Sequence, residues 1–176
     1  MGLFDRFKKK KEDIKLDYSL FEMKKGFVLD YFLKTWEVKK VDIYDWGNGE
    51  TSREYLIDSG DDAQFLHVEP GTPLKCTLSK TLELREIDPL LASSIVKADD
   101  APQQLVYQNE TYHKVSSAQG YCGEEGSPEE DWSKFVNWTY DCGEKFISVD
   151  RWDEEEFSAA YGCYVKPFEF SDILPR

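Results

Sequence analysis

Residues 36–69, WEVKKVDIYDWGNGETSREYLIDSGDDAQFLHVE, decide the fold class. They read as three β-strands separated by two tight turns. Asn48-Gly49 marks the first turn, because a two-residue type I′ hairpin loop needs positive φ at both central positions, which Asn and Gly tolerate. Gly47 extends it, and Ser59-Gly60-Asp61-Asp62 marks the second. The segments between are rich in Trp, Tyr, Val, Ile and Phe, which suit a pleated, half-buried surface. Trp36 and Val38 share one face of the first strand and Val41 and Ile43 the other, so the phase slips at Lys39-Lys40 and predicts a bulge. Tyr55-Leu56-Ile57 and Phe65-Leu66 are apolar on both faces, so the middle of this sheet is expected to be covered on both sides.

The same reading extends outward. Ser19-Leu20-Phe21-Glu22 has capping-box spacing and predicts a helical turn or two ending at Gly26. Phe27 to Leu33 reads as a strand leading into the meander. Pro70-Gly71-Thr72-Pro73 interrupts, and Leu74 to Leu84 resumes strand character. Asp88-Pro89 predicts an N-cap with Pro at the first helical position, opening a helix to about Lys97. Asp99-Asp100-Ala101-Pro102 closes it and forms the midpoint of the chain. Beyond it, Gln104 to Gln108 and Thr111 to Ser116 predict a hairpin across Asn109-Glu110, and Gly120 to Asp131 an exposed loop. Trp132 to Tyr140, Lys145 to Trp152 and Phe157 to Val165 are the remaining strands. In the last, Phe157, Ala159, Tyr161, Cys163 and Val165 share a face. The segment Pro167 to Arg176 is too apolar to lie free and is expected to dock.

Two segments share a pattern: Trp36, seven residues, Tyr44-Asp45-x-Gly47, and Trp132, seven residues, Tyr140-Asp141-x-Gly143. One explanation is an internal repeat, two three-stranded meanders related by a pseudo-two-fold. The other is convergence, since hairpins favour these residue types anywhere. The expected fold is mainly β: two antiparallel three-stranded meanders forming a sandwich or open barrel, with a short connecting helix. Residues 1–18 read as a basic tail and 19–176 as a single domain, with halves at about 26–86 and 103–166.

Composition narrows the function classes. The chain has 176 residues, 40% hydrophobic and 15% aromatic, which supplies a core for one domain. A net charge of -13 argues against nucleic-acid binding, because phosphates would be repelled. No apolar run is long enough to span a membrane and no signal-peptide h-region is present, so a cytoplasmic location is expected. Cys76, Cys122, Cys142 and Cys163 lack CxxC spacing and read as reduced thiols. Asn109-Glu110-Thr111 and Asn137-Trp138-Thr139 match the glycosylation pattern but would go unused in the cytoplasm. The basic cluster lies in MGLFDRFKKKK. There Leu3, Phe4 and Phe7 fall on one helical face, with Lys8, Lys9, Lys10 and Lys11 behind them. This is a candidate foot on the anionic inner face of a membrane, set against a tail that merely packs on the acidic body.

Chemistry-bearing motifs are sparse. His67 and His113 sit in separate predicted strands, and no spacing shows a metal site or triad around them. Glu124-Glu125, Glu129 to Asp131 and Asp153 to Glu156 read as solvated turns without the spaced ligands of a calcium loop. No phosphate-binding glycine loop precedes a helix. No catalytic residue, metal or cofactor is assigned. The polar constellation to follow is Asp45, Trp46, Asn48, Arg53 and Glu54 beside the first hairpin, echoed by Asp141, Arg151 and Trp152. Arg beside Trp is either a partner anchor or a cross-strand ion pair.

On the W-x-V strand, the Tyr-Asp-Trp-Gly turn, the Glu-hydrophobic-Leu strand ending in Ser-Gly-Asp, and the later WTYDCGEKFISVDRW and AAYGCYVKPFEFSDIL, the chain resembles a bacterial family of unknown function, DUF4178. The Lys24-Lys25-Gly26 lead-in fits too, and the likeness spans roughly residues 20–174. The resemblance implies no established activity. It implies an accessory role near membrane-associated, channel-like or polyamine-synthase-like proteins, which is association rather than mechanism. The leading expectation is therefore a non-enzymatic interaction module with a protein partner, showing an exposed aromatic patch or open sheet edge and no deep polar pocket. The alternative is a β-barrel binding a cation or polyamine in an acid-lined cavity. A carboxylate-dependent hydrolase is third.

Overall fold

The computed structural model describes residues 18–153 and 156–176. The expectations for Leu3, Phe4, Phe7 and Lys8 to Lys11 lie outside those residues. Eleven strands form one antiparallel sheet: β1 (Val28–Tyr31), β2 (Lys34–Gly47), β3 (Glu50–Asp58), β4 (Ala63–Glu69), β5 (Lys75–Leu82), β6 (Gln104–Tyr107), β7 (Glu110–Glu124), β8 (Ser133–Cys142), β9 (Lys145–Trp152), β10 (Glu156–Val165) and β11 (Phe170–Leu174). Two short helices, α1 (Leu84–Ile87) and α2 (Leu91–Ala98), join β5 to β6. The sheet runs β2-β3-β4-β5-β10-β9-β8-β7, and β7 pairs back onto β2. These eight strands close a barrel. Neither a sandwich nor an open barrel describes it: the pairing of β7 with β2 closes the eight strands, and β11 and β6 are left as the outer strands of the sheet.

The bulge predicted at Lys39-Lys40 is present, since the register of β2 against β3 shifts between Val38 and Lys40. The Asn48-Gly49 hairpin is also present, with φ of 55° and 80°. The tail docks as expected, as a strand: β11 pairs with β1, Tyr31 opposite Phe170. Four boundaries differ from expectation. Phe32 and Leu33 do not continue a strand but form the β1–β2 turn. The second hairpin turns at Gln108-Asn109 rather than Asn109-Glu110. The midpoint helix begins at Leu91, and Asp88 caps the turn ahead of it by accepting from the Leu90 N–H at 2.8 Å. Residues 120–124 are strand, not loop.

The reason for that last difference is barrel closure. The barrel has two seams between its halves, β2–β7 and β5–β10. Each carries a glycine where a side chain would strike the facing backbone: a Cβ on Gly120 would lie 2.1 Å from the Asp45 carbonyl oxygen, and one on Gly162 2.0 Å from that of Leu78. Gly120 looks like a loop residue in sequence but marks a sharp bend of a barrel strand.

The repeat equating Trp36 with Trp132 is not supported. Trp36 is buried in β2, whereas Trp132 follows the short turn Glu129–Asp131 and precedes β8. That spacing matches the first barrel strand of one half with the second of the other. Strand order instead sets β1–β5 against β6–β10, with four strands of each run in the barrel. Trp, Tyr, Asp and Gly recur because every hairpin strand favours them.

Apolar rows face outward from the barrel and are covered there by two separate cores. One joins Val38, Val41, Tyr55, Ile57, Leu66, Val68 and Leu78 of β2–β5 to Leu20, Met23, Leu29 and Phe170. The other joins Trp138, Tyr140, Ile147, Val149 and Ala159 to Leu91 and Ile95 of α2 and Leu105 of β6. Each fully buried aliphatic or aromatic side chain contributes about 1.5–3 kcal/mol, so these covers, rather than the barrel interior, hold the fold together.

Candidate functional site

The alternate rows face inward and are small and polar. Strand β5 contributes Thr77, Ser79 and Thr81; β10 contributes Ser158 and Ala160; β7 contributes Ser116 and Ala118. These side chains are too small to fill an eight-stranded barrel, whose interior is just wide enough to be packed by larger ones or to hold one small ligand. A cavity of about 910 Å³ results. It falls within the range of small-molecule sites, about 300–1,000 Å³. Gly49 and Pro70, from the β2–β3 and β4–β5 connections, and the adjoining strand ends Glu50 and Lys75 line it at one end. The three buried polar residues of the described chain, Ser52, Ser79 and Asn137, all face this lumen.

One wall is aromatic. Tyr44 stacks on Trp46 with ring centres 5.7 Å apart, and the buried Phe135 supports them, meeting Trp46 edge-on at 5.1 Å and Trp152 at a tilt at 5.4 Å. Both indoles are anchored by hydrogen bonds, Trp46 Nε1 to Ser52 Oγ and Trp152 Nε1 to Ser158 Oγ, each 2.8 Å. Beside this wall stand two carboxylates. Glu54 accepts from the Tyr44 hydroxyl at 3.2 Å and lies 3.4 Å from His67 Nδ1. Asp150 accepts from Asn137 Nδ2 at 2.8 Å; the same amide nitrogen donates to Ser148 Oγ at 2.7 Å. Burial pushes the Asp150 carboxyl up to about 7, and the Glu54 charge adds to the rise, while the Asn137 hydrogen bond and His67 oppose it. What accessible surface Asp150 keeps opens into the lumen rather than bulk solvent. Burial likewise holds the Tyr44 phenol well above its ordinary range, reinforced by Glu54.

The sequence constellation is split by the barrel wall. Trp46 and Glu54 enter the lumen. Asp45 instead accepts from the Gly47 N–H at 2.8 Å, and Asn48 is a turn residue. Arg53 is an ion-pair residue, with Glu125 at 2.7 Å, and covers the Phe21 ring at 5.3 Å. In the echo, Trp152 faces inward, Arg151 pairs with Asp99, and Asp141 accepts from the Tyr164 hydroxyl at 2.6 Å. His67 joins the lumen, whereas His113 is an exposed residue of β7. Sequence reasoning missed Tyr44, Phe135, Asn137 and Asp150. The available signal was the row of Ser, Thr and Ala alternating with apolar residues in β5 and β10, which is too polar for a packed interior. An interaction module predicts no deep polar pocket, and this barrel has one. Among the described residues no group of three His, Cys, Asp or Glu is arranged to hold a metal ion, and no helix is long and apolar enough to cross a membrane.

No solved structure matches the chain. An uncharacterized protein of Aquifex aeolicus (strain VF5) is 29% identical over 185 residues, covering 100% of both chains. The family model for DUF4178, a domain of unknown function, matches residues 24–167, which takes in every barrel strand and all of the lumen lining but Phe21. The chain belongs to the DUF4178 family.

Proposed function

We propose that this domain is a small-ligand-binding β-barrel whose ligand sits in the lumen and carries a positively charged group. The observation that carries this reading is the lumen itself: a cavity of about 910 Å³ with an aromatic wall beside Glu54 and Asp150. Aromatic faces attract cations through their quadrupole, and the attraction grows where water is excluded. Paired carboxylates supply the countercharge. The net charge of -13 draws cations toward the rim. A bound cation would also favour the ionised form of Asp150, which burial otherwise disfavours.

The test is thermal unfolding of the full chain with matched small molecules of one size: an alkylammonium, a diamine, a neutral alcohol and a carboxylate. A ligand at one hundred times its Kd stabilises the native state by about 2.7 kcal/mol, well within reach of such a measurement. Stabilisation by the amines alone is expected, and it should weaken in Ala160→Trp, which puts a bulky ring into the lumen. If no cation raises Tm, or if the effect is unchanged in Ala160→Trp, the proposal fails.

A further inference from the structure

The lumen lining holds two kinds of surface. The aromatic wall with Glu54 and Asp150 is one, and a field of hydroxyls is the other. One lateral row crosses five adjacent strands. Thr81 of β5 stands opposite Ala160 of β10, Ala160 opposite Ser148 of β9, Ser148 opposite Thr139 of β8, and Thr139 opposite Ser116 of β7. All five residues line the cavity. Thr81 and Ser116, at the ends of the row, are exposed, and the three between them are half-buried. On the same face of β5, Ser79 and Thr77 carry hydroxyls into a more enclosed part, Ser79 buried and Thr77 half-buried. Thr77 stands opposite His67, and His67 opposite Glu54, so the hydroxyl surface abuts the carboxylates.

Strand chemistry does not require these hydroxyls, since Val has the shape of Thr and suits a strand as well. Ser148 and Thr139 are bonded to the Asn137 amide, at 2.7 Å and 3.1 Å. Thr77 and Ser79, by contrast, make no side-chain hydrogen bond among the described residues. A ligand that turned hydrocarbon toward them would leave them covered and unpaired, which costs affinity. Ligand hydroxyls would pair with them, because each such group both donates and accepts. A saturated ring bearing hydroxyls also suits the other surface. Its C–H face packs on the Trp46 and Tyr44 rings, and carboxylates accept from ammonium and hydroxyl alike.

Building on the lumen as a cation site, on which this rests, we infer that the ligand is a hydroxylated ring amine of the amino-sugar class. Its ammonium group sits by Glu54 and Asp150, its ring lies on the aromatic wall, and its hydroxyls meet Thr77 and Ser79. Charge alone admits any amine; the hydroxyl field selects among them.

The experiment is calorimetric titration of the full chain with three six-membered rings: glucosamine, cyclohexylamine, which keeps the amine without hydroxyls, and glucose, which keeps hydroxyls without the amine. Glucosamine is expected to bind at least about tenfold more tightly than either of the others. In Thr77→Val/Ser79→Ala, which removes two hydroxyls at nearly constant shape, the preference for glucosamine over cyclohexylamine should narrow by about fivefold or more. Cyclohexylamine binding as tightly as glucosamine would overturn the hydroxylated class and leave the cation site standing. Glucose binding as tightly as glucosamine would overturn the cation site itself, and this inference with it. An unchanged preference in the double variant, or no binding of glucosamine by native protein, would also overturn the inference.

Discussion

Asp150→Asn tests whether the lumen is the low-dielectric, acid-crowded space that a cation site requires. In the folded protein the Asp150 carboxyl titrates at about 7, against an ordinary 3.8. Between those values the folded chain holds a proton that the unfolded chain releases, so stability must fall as pH rises. The slope approaches -1.36 kcal/mol per pH unit in the middle of the window, and the whole window amounts to an upper bound of about 4 kcal/mol. The carboxylate keeps some accessible surface in the lumen, which lowers that total, so the slope is the sharper readout. The Asn side chain has the same shape and cannot ionise, and its amide oxygen can still accept from Asn137. The assay is urea unfolding of both proteins from pH 4.5 to 8.5, with stability extrapolated to water. The two curves should lie closest at pH 4.5 and diverge until about pH 7, the variant becoming the more stable protein at pH 8 by up to roughly 10 °C in Tm. Glu54 and His67 also face this space and interact with Asp150, so the difference between the two curves reports the Asp150 carboxyl together with that coupling. Parallel curves, or a variant less stable than native protein at pH 8, would refute a buried, disfavoured carboxylate.

Further outcomes follow from the same geometry. If a cation displaces the Asp150 proton, its affinity measured by calorimetry should rise with pH up to about 7, by at most about tenfold per unit, and Asp150→Asn should flatten that dependence. Trp152→Phe keeps the ring and removes the hydrogen bond to Ser158, so chemical denaturation should show a loss of about 1 kcal/mol, with weakened amine binding. Gly162→Val forces a side chain into the Leu78 carbonyl at the β5–β10 seam and should cost about 3 kcal/mol or more, seen as a lower urea midpoint; Gly162→Ser would be only slightly milder. Phe32→Asn/Leu33→Gly should gain about 2 kcal/mol by relieving two bulky left-handed residues.

Much of the strand pattern is legible because local chemistry sets it. Asn48-Gly49 ends β2 through backbone freedom alone, and the one-residue phase slip at Lys39-Lys40 is a bulge visible as a change of parity. The candidate site is only half legible, for a reason that the barrel makes plain. Alternation shows that Trp46 and Glu54 lie on the opposite face from Asp45 and Arg53, but it does not say which face is the inside. The usual assumption puts the apolar row inward. Here it is outward, beneath α2 and beneath β1 and β11.

The sequence by itself determined a mainly β chain, the positions of most turns, the docking of the C-terminal segment and the family. Each depends on residues close together in the chain. Tertiary structure alone decided that the strands close, through β2–β7 and β5–β10, because pairing between distant strands leaves no local signature. Closure in turn decided what the polar rows mean. Ser52, Ser79, Asn137 and Asp150 come from four different strands, and only a closed barrel turns them from scattered surface residues into the lining of one cavity.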